Sequence, residues 1–458
     1  MFALQIIMAR MLTPADYGIV SMLAIFMALS QCFIDSGFSN ALIRKTDRTE
    51  ADYCTVFYFN FVIGIFAYIC MYVSAPHIAE FYNSPLLIPI TRVISINLFL
   101  SSLVVVHRAK LTINIDFKSQ AKATLLAAAL SGIVGVYMAY FDYGVWALVF
   151  QTITNSAFIC IFFWIQLAWI PRHSFSYESF KDLFGYGSKL LISALLDKIF
   201  GNIYTIVIGK IFSAIDLGYY SRGEAFAQFG TANLTAIIQR VSFPILSSIQ
   251  NDDQRLSVIY RKYLRLSAFV IFPLAIGLAA VAEPFIELLI GKKWLDTVPL
   301  LQIMSFAYMW YPIHAINLNL LQVKGRSDLF LKLEVIKKIL AIVVLYITLP
   351  YGIKALCVGQ AASSLLSLII NTHYTKKLVN VGFFSQMRDL TPSFFMSISM
   401  GLIVFFLIDQ VNNLVFKLLF GITAGVSYYL LIALISGSQN FHDLLGLIKI
   451  NKKHKLNE

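Results

Sequence analysis

The segments ARMLTPADYGIVS (9–21) and GKIFSAIDLGYYS (209–221) decide how the fold of this chain is interpreted. Aligned at an offset of 200 residues, they share an aspartate, a glycine and a serine: Asp16 with Asp216, Gly18 with Gly218, Ser21 with Ser221. Two further pairs of words follow in the same order, at offsets of 214 and 208: Pro85-Leu86-Leu87 with Pro299-Leu300-Leu301, and YGVWAL (143–148) with YGIKAL (351–356). The nearly constant offsets predict an internal repeat. The competing interpretation is similar helix-start chemistry at unrelated loops.

The words of the repeat lie beside long apolar stretches. A helix needs about 20 mostly apolar residues to cross the hydrocarbon core of a membrane. Thirteen stretches meet this criterion: 18–38, 54–74, 86–106, 120–140, 145–169, 185–208, 218–249, 263–290, 298–322, 331–349, 353–375, 391–408 and 414–435. Residues 1–12 resemble the second half of another span and lack the features of a signal peptide. We therefore expect thirteen to fourteen spans, the first of them incomplete in this sequence.

The composition is that of a membrane protein. Of the 458 residues, 59% are hydrophobic and 13% are charged, whereas a soluble domain is about 45–50% apolar and about 25% charged. The five cysteines form no CxxC pair: Cys32, Cys54, Cys70, Cys160 and Cys357. We therefore expect neither a disulfide framework nor a metal site.

The basic residues alternate between the loops. Every second loop, together with the C-terminal tail, holds 24 lysines and arginines in all, whereas the intervening loops hold 5. This positive-inside bias places the richer loops and the C-terminus in the cytoplasm. The formal charge of +12 therefore reflects topology, and no nucleic-acid partner is expected.

The repeat and the spans together predict the domain organisation. Six spans per repeat bring both halves into the membrane from the same side, which is typical of transporters with a site at the repeat interface. We expect one six-helix lobe at 1–170, a second at 185–375, and two extra helices with a basic tail at 376–458. The fold class is all-α integral membrane.

Charged and amide side chains within the spans are the candidate binding residues. A charge near the bilayer centre costs at least about 2.5–3.5 kcal/mol, so it usually faces a cavity or a partner. The candidates are Asn60, Arg92, Asn97, Lys198, Asn202, Arg222, Glu224, Gln228 and Arg240. A cationic, hydrogen-bonding cavity built from them suits an anionic phosphate or pyrophosphate.

Simpler explanations compete for several charged residues. Arg222 lies near the end of its span, where a long side chain can reach the membrane interface. Glu334 and Lys337 have the spacing of a structural ion pair on a helix surface. Glu283 and Glu287 share a helix face, where solvated carboxylates are the alternative to a cation site.

Motifs of enzymes are missing from the sequence. It contains no HExxH, GxSxG or Walker A motif, and the predicted outer loops are short. We expect no catalytic residue, no cofactor and no enzymatic activity. A built-in ATP-driven mechanism is excluded because the chain has no nucleotide-binding domain.

Several stretches resemble a known family. ARMLTPADYGIVSM (9–22), FIDSGFSNALIRK (33–45) and TVFYFN (55–60) resemble the opening of the Wzx-type exporters in the multidrug/oligosaccharidyl-lipid/polysaccharide (MOP) flippase superfamily. FPLAIGLAAVAEPFIELLIGKKWLDTVPLLQIM (272–304) is similar to the second half of the same family, and GKKW followed by PLLQ is fairly specific. The resemblance covers nearly the whole chain.

This resemblance implies a two-lobed, fourteen-helix bundle in the bacterial inner membrane. It implies flipping of undecaprenyl-pyrophosphate-linked oligosaccharide by alternating access, for O-antigen, capsule or exopolysaccharide. The implied partners are that lipid-linked oligosaccharide, the bilayer, and the polysaccharide polymerase and assembly proteins; a monomer is expected. The competing hypothesis is a multidrug or small-solute antiporter, which favours deep acidic residues in the first lobe, whereas the deep charge predicted there is Arg92.

Overall fold

Helices form all the regular structure in the part of the chain that the computed structural model describes, residues 2–35, 37–444 and 446. The α-helices are α1 Phe2–Met11, α2 Pro14–Asp35, α3 Phe38–Arg44, α4 Glu50–Phe81, α5 Leu87–Ile94, α6 Ile96–Ser102, α7 Val105–Ile113, α8 Phe117–Tyr140, α9 Val145–Leu167, α10 Tyr177–Gly201, α11 Ile203–Ile211, α12 Ala214–Ser248, α13 Asp253–Ala280, α14 Ala282–Ile290, α15 Thr297–Tyr308, α16 Tyr311–Val323, α17 Ser327–Thr348, α18 Ile353–Val379, α19 Phe383–Ile408 and α20 Leu414–Ile435. The expected all-α fold is confirmed. The basic tail used in the topology prediction lies outside the described residues: Lys449, Lys452, Lys453 and Lys455.

The predicted spans all fall on helices, but these helices differ in how well their composition suits a membrane. In the described ranges, eight helices are long and apolar enough to cross it, or up to ten if each of two bent pairs is one span. Neither α12 nor α17 is among them. The 35 residues of α12 include Arg222, Glu224 and Arg240, and α17 carries Lys337 among its charges. The count of thirteen to fourteen spans stays a prediction.

Two of the spans bend at breaks that contain no proline. The α5–α6 segment meets α7 at 40° across Leu103 and Val104, and α10 meets α11 at 44° at Asn202. At the second bend the side-chain amide of Asn202 donates to the backbone carbonyl of Lys198, at 2.8 Å. This local hydrogen bond gives the chain an alternative to continuing the helix.

The chain divides into two compact units, Met1–Ser221 and Arg222–Glu458, which we call unit 1 and unit 2. Unit 1 contains α1 to α11 and the start of α12. A buried cluster of Phe38, Leu42, Phe57 and Val106 joins α3, α4 and α7 within it. In unit 2, buried residues of α12, α13, α16, α18 and α19 pack into one core cluster.

Within unit 1, α2 and the start of α12 cross at two glycines. A Cβ atom added to Gly18 would lie 1.7 Å from the carbonyl oxygen of Ala214, and one added to Gly218 would lie 1.9 Å from that of Pro14. Both distances are far below van der Waals contact, so only glycine fits at either position. The two helix starts have the same cap: Asp16 Oδ2 accepts from the Thr13 hydroxyl at 2.6 Å, and Asp216 Oδ2 from the Ser213 hydroxyl at 2.7 Å.

Turns at corresponding points of the two units share an unusual backbone conformation. The glycines of YGVWAL and YGIKAL, Gly144 and Gly352, both have positive φ values and directly precede α9 and α18. Ile115 before α8 and Gly325 before α17 also have positive φ values, of 57° and 68°. Both YGVWAL and YGIKAL therefore lie where a helix begins after a positive-φ glycine, and the internal repeat stays a prediction.

An ion pair and a polar network connect the helices of unit 2. The guanidinium of Arg261 donates twice to the Asp389 carboxylate, each time at 2.6 Å, joining α13 to α19. Next to it, the buried side chains of Tyr260, Asn317 and Gln386 hydrogen-bond to one another. Paired polar groups of this kind avoid the cost of burial and fix how helices pack.

Candidate functional site

The bend between α10 and α11 follows Lys198, which faces the C-terminal part of α2. Lys198 is exposed, and its charge acts on both the Asp35 carboxylate and the Cys32 thiol. Arg108 of α7 is a second cation in range of Asp35. Gln31 Nε2 donates to Asp35 Oδ1 at 3.2 Å. We call Gln31, Asp35, Arg108 and Lys198 the unit 1 charge cluster.

Charges of this cluster lie at the surface of the protein although α2 and the α10–α11 pair have the composition of membrane spans. Asp35 and Lys198 are exposed, whereas the neighbouring Ile34 is fully buried. Exposed charges on membrane helices generally line a water-filled cavity or pathway. Lys198 was predicted from the sequence whereas Asp35 was not, because Asp35 is the last residue of α2 and resembles a loop residue. The available signal was the i,i+4 spacing of Gln31 and Asp35.

Arg92 lies on α5 of unit 1, outside the charge cluster. Its guanidinium carbon is 4.4 Å from the ring centroid of Tyr72 on α4, which is a cation–π contact. Arg92 is half-buried, and its Nε has no hydrogen-bond partner among the described residues. A guanidinium presents five N–H donors in a planar fork, which suits an anionic group.

The structure does not bring Asn60 and Arg92 together. Asn60 is fully buried on α4, and neither polar atom of its side chain has a partner in the described part of the chain. Tyr72, which contacts Arg92, lies three turns further along the same helix, about 18 Å away. The half-buried Asn97 on α6 has a buried Oδ1 that also lacks a described partner. These residues therefore follow the length of α4 and do not form one pocket.

In unit 2 the polar residues of α12 meet a tyrosine. Tyr308 Oη donates to Glu224 Oε1 at 2.7 Å. The same oxygen accepts from Gln228 Nε2 at 2.7 Å and from Gln360 Nε2 at 3.3 Å. Glu224 and Gln228 were predicted as site residues, but Tyr308 and Gln360 were missed because they are distant in sequence.

A second polar group continues along α18. His314 Nε2 lies 3.0 Å from Ser364 Oγ, and its Nδ1 lies 3.3 Å from Asn371 Nδ2. Because the amide nitrogen of Asn371 can only donate, Nδ1 accepts and the ring proton is on Nε2. Gln360, Ser364 and Asn371 lie on one face of α18 and span about 16 Å of its length. We call these polar side chains of unit 2 the polar row: Glu224, Gln228, Tyr308, His314, Gln360, Ser364 and Asn371. Only Glu224 and Gln228 among them were predicted from the sequence.

The two arginines of α12 are far apart. Arg222 is half-buried at one end of the unit 2 part of this helix, and Arg240 is exposed towards the other end. Five helical turns separate them, about 27 Å. Arg222 is thus close in sequence to Glu224, whereas Arg240 lies about five turns further along α12.

One pair of charges outside the candidate residues forms a structural ion pair on a helix surface. Lys337 and Glu334 form an ion pair at 2.5 Å on α17, as predicted. Glu287 lies 3.7 Å from Lys292, a distance typical of a weak surface pair. Among the described residues, no group of three or more histidine, cysteine or acidic side chains could hold a metal ion.

Comparison with known proteins places this architecture in a family. Residues 7–299 match the model of the polysaccharide biosynthesis protein family. The chain is 28% identical to the teichuronic acid biosynthesis protein TuaB of Bacillus subtilis (strain 168) over 66% of this chain and 62% of that protein. It thus matches about three fifths of the length of that relative. It is 26% identical to the lipopolysaccharide biosynthesis protein WzxC of Escherichia coli (strain K12) over 80% of this chain and 74% of that protein.

A solved structure shares the fold. The lipid II flippase MurJ, in an inward closed conformation, superposes with a TM-score of 0.76 at 15% identity, covering 97% of this chain and 98% of the flippase. At this identity the likeness concerns the fold alone. Since the family model matches well over half of the chain, the resemblance to Wzx-type proteins is confirmed, and this multi-pass membrane protein belongs to the polysaccharide biosynthesis protein family.

Proposed function

We propose that this chain flips an undecaprenyl-pyrophosphate-linked oligosaccharide from the cytoplasmic to the outer leaflet of the bacterial inner membrane. The observation that carries the proposal is the unit 1 charge cluster. Lys198 and Asp35 are exposed on helices that otherwise have the composition of membrane spans. A protein that only anchors in lipid has no use for such charges, because each one is costly in hydrocarbon.

Family membership supports the same substrate class. Its relatives TuaB and WzxC are named for the biosynthesis of teichuronic acid and lipopolysaccharide, which are surface glycans. The fold neighbour MurJ is a flippase of lipid II, a glycan-bearing lipid. A protein of this family that spans the membrane many times is suited to moving such a lipid across it.

The chemistry of the step is binding and release, without covalent catalysis. A pyrophosphate group in a partly dehydrated cavity is stabilised by charge-assisted hydrogen bonds from lysine and arginine. Lys198, Arg108 and Arg92 are the cations of unit 1 that suit this role, and Arg222 is the one in unit 2. The polar row of unit 2 suits the hydroxyl groups of sugars, which need both donors and acceptors.

The organisation of the protein is part of the proposal. Lobes at 1–170 and 185–375, with additional helices at 376–458, would alternate access between the two membrane faces. The C-terminus is cytoplasmic in this scheme, and the working form is a monomer. The polysaccharide polymerase and assembly proteins receive the flipped substrate.

A complementation assay tests the proposal. The chain is expressed in bacteria that lack their own oligosaccharide flippase, and surface polysaccharide is measured. We expect export to be restored, and to be lost when Lys198→Ala removes the cation of the charge cluster. The matched control is Lys354→Ala, which removes an exposed lysine at the start of α18. Resistance to small cationic drugs without restored export would instead favour the multidrug antiporter.

A further inference from the structure

A cavity of about 510 Å³ lies in unit 1 between α2, α4 and the bent pair α10–α11. Most of its lining is apolar: Ile25, Phe26, Leu29, Met71, Ile78, Phe81, Ile199 and Ile206. Ser30, Cys70, Ser74 and His77 complete it. This volume and lining are typical of a site for a small molecule or a segment of a chain, and the mechanism proposed above does not use it.

The cavity ends next to the unit 1 charge cluster. On α2, Leu29 lines the cavity, and Cys32 lies about one turn further along the same face. The thiol of Cys32 is within range of the charge of Lys198. On α10, the lining residue Ile199 directly follows Lys198. On α10 the apolar lining thus directly follows a cation, and on α2 it lies about one turn before a residue within range of that cation's charge.

This arrangement matches an amphiphile with an anionic head and a hydrocarbon chain. The phosphate would interact with Lys198 and Arg108, and the chain would occupy the apolar volume. Asp35 is within range of both cations and opposes an anion, so the net formal charge of Asp35, Arg108 and Lys198 is one positive unit. We propose that the cavity binds the first isoprene units of a polyprenyl phosphate, whose head lies at the charge cluster. The inference rests on the proposed function and deepens it by assigning a site to the lipid part of the substrate.

Photo-crosslinking of the purified full chain tests the assignment. The probe is a polyprenyl phosphate with a diazirine in its second isoprene unit. We expect adducts on residues 25–30 of α2 and 70–81 of α4. Unlabelled undecaprenyl phosphate should lower their yield by about tenfold or more, while phosphatidylglycerol at the same concentration should leave it unchanged. Equal competition by phosphatidylglycerol, or adducts confined to other helices, would overturn the proposal.

Variants that fill the cavity provide a second readout. Ser30→Trp and Met71→Trp each place a large ring in the cavity and should lower adduct formation by about tenfold. The control is Ile69→Trp, because Ile69 is 52% exposed on α4 and does not line the cavity. Each variant is first compared with the native protein by size-exclusion chromatography. If both filled variants fail to fold, the adduct map of the native chain still decides the question.

The head-group assignment has its own test. Lys198→Gln should weaken crosslinking of the phosphate probe but not of the matching polyprenol, which lacks the phosphate. Equal loss with both probes would contradict the position of the head. Binding is measured here without transport, so the two proposals can fail separately. Adducts in the cavity without restored export would reject the proposed function, whereas restored export without such adducts would reject this site.

Discussion

The Cα atom of Gly18 on α2 packs directly against the carbonyl oxygen of Ala214, at the first turn of α12. The contact is reciprocal, because Gly218 packs in the same way against the carbonyl oxygen of Pro14. Gly18 lies four residues after Pro14, whose carbonyl oxygen contacts Gly218. In the same way, Gly218 lies four residues after Ala214, whose carbonyl oxygen contacts Gly18. Such a pair of contacts allows two helices to cross at backbone distance.

The first prediction concerns this crossing. Gly18→Ala adds a methyl group where 1.7 Å separates the new atom from a backbone oxygen, so the helices must move apart. Overpacking of this kind typically costs about 1–3 kcal/mol. We expect a lower thermal unfolding temperature of the purified protein and reduced export. Gly230→Ala on α12 is the control, since its Cβ meets no atom within 4 Å. Equal stability of the Gly18 variant and the native chain would contradict the crossing.

The second prediction concerns the polar row of unit 2. Tyr308→Phe removes the hydroxyl that joins Glu224, Gln228 and Gln360. Partially buried groups that lose their partner cost about 1–3 kcal/mol. We expect a drop in export together with a modest loss of thermal stability. Tyr311→Phe is the control, because Tyr311 is 48% exposed and such a change usually costs less than about 0.5 kcal/mol. If the two variants behave alike, the polar row is not needed for transport.

The third prediction concerns the ion pair of Arg261 and Asp389. The carboxylate is 6% exposed and the guanidinium 38% exposed, so solvent reduces the large penalty of breaking a fully buried pair. We expect Asp389→Asn to destabilise the protein by about 1–3 kcal/mol, seen in thermal unfolding monitored by tryptophan fluorescence. The exposed pair of Arg326 and Asp328 has the same bidentate form. Asp328→Asn should therefore leave the thermal unfolding temperature nearly unchanged, because exposed ion pairs contribute little, and an equal loss in both variants would contradict this difference.

The fourth prediction concerns the coupling of Lys198 to Asp35. If the two charges act on each other and on the same substrate, the effects of Lys198→Gln and Asp35→Asn on export should not add. A double-mutant cycle on the export rate measures this coupling. We expect the double variant to export about as much as the more damaged single variant. Additive losses would show that the two residues act at separate sites.

Much of the fold could be predicted from the sequence, because a membrane helix has a simple compositional signature. The predicted spans coincide with helices, and the matching sequence motifs YGVWAL and YGIKAL each lie at the start of a helix. Gly201 directly precedes the break at Asn202, whereas no proline or glycine marks the break at Leu103–Val104, so the sequence carries a signal for only one of the two breaks. They arise from side-chain and packing contacts that composition does not encode.

The candidate site was predicted less completely. Lys198, Glu224 and Gln228 were identified because each is an unusual residue within a span. Their partners Asp35, Tyr308 and Gln360 are ordinary residues for their positions, and they meet only when distant helices pack. Asn202 was predicted as a binding residue, whereas its side chain hydrogen-bonds at the end of its own helix.

The most direct test of the account is flipping by the purified chain in proteoliposomes. A labelled undecaprenyl-pyrophosphate oligosaccharide is distributed between both leaflets, and a glycosidase that cannot cross the membrane is added outside. Without protein, we expect about half of the glycan to stay protected, since half of it faces the lumen. With the native chain, the protected half should become accessible, and Lys198→Ala should slow this markedly while Lys354→Ala should not. Continued protection of half of the glycan in vesicles that contain the native protein would contradict the proposed function.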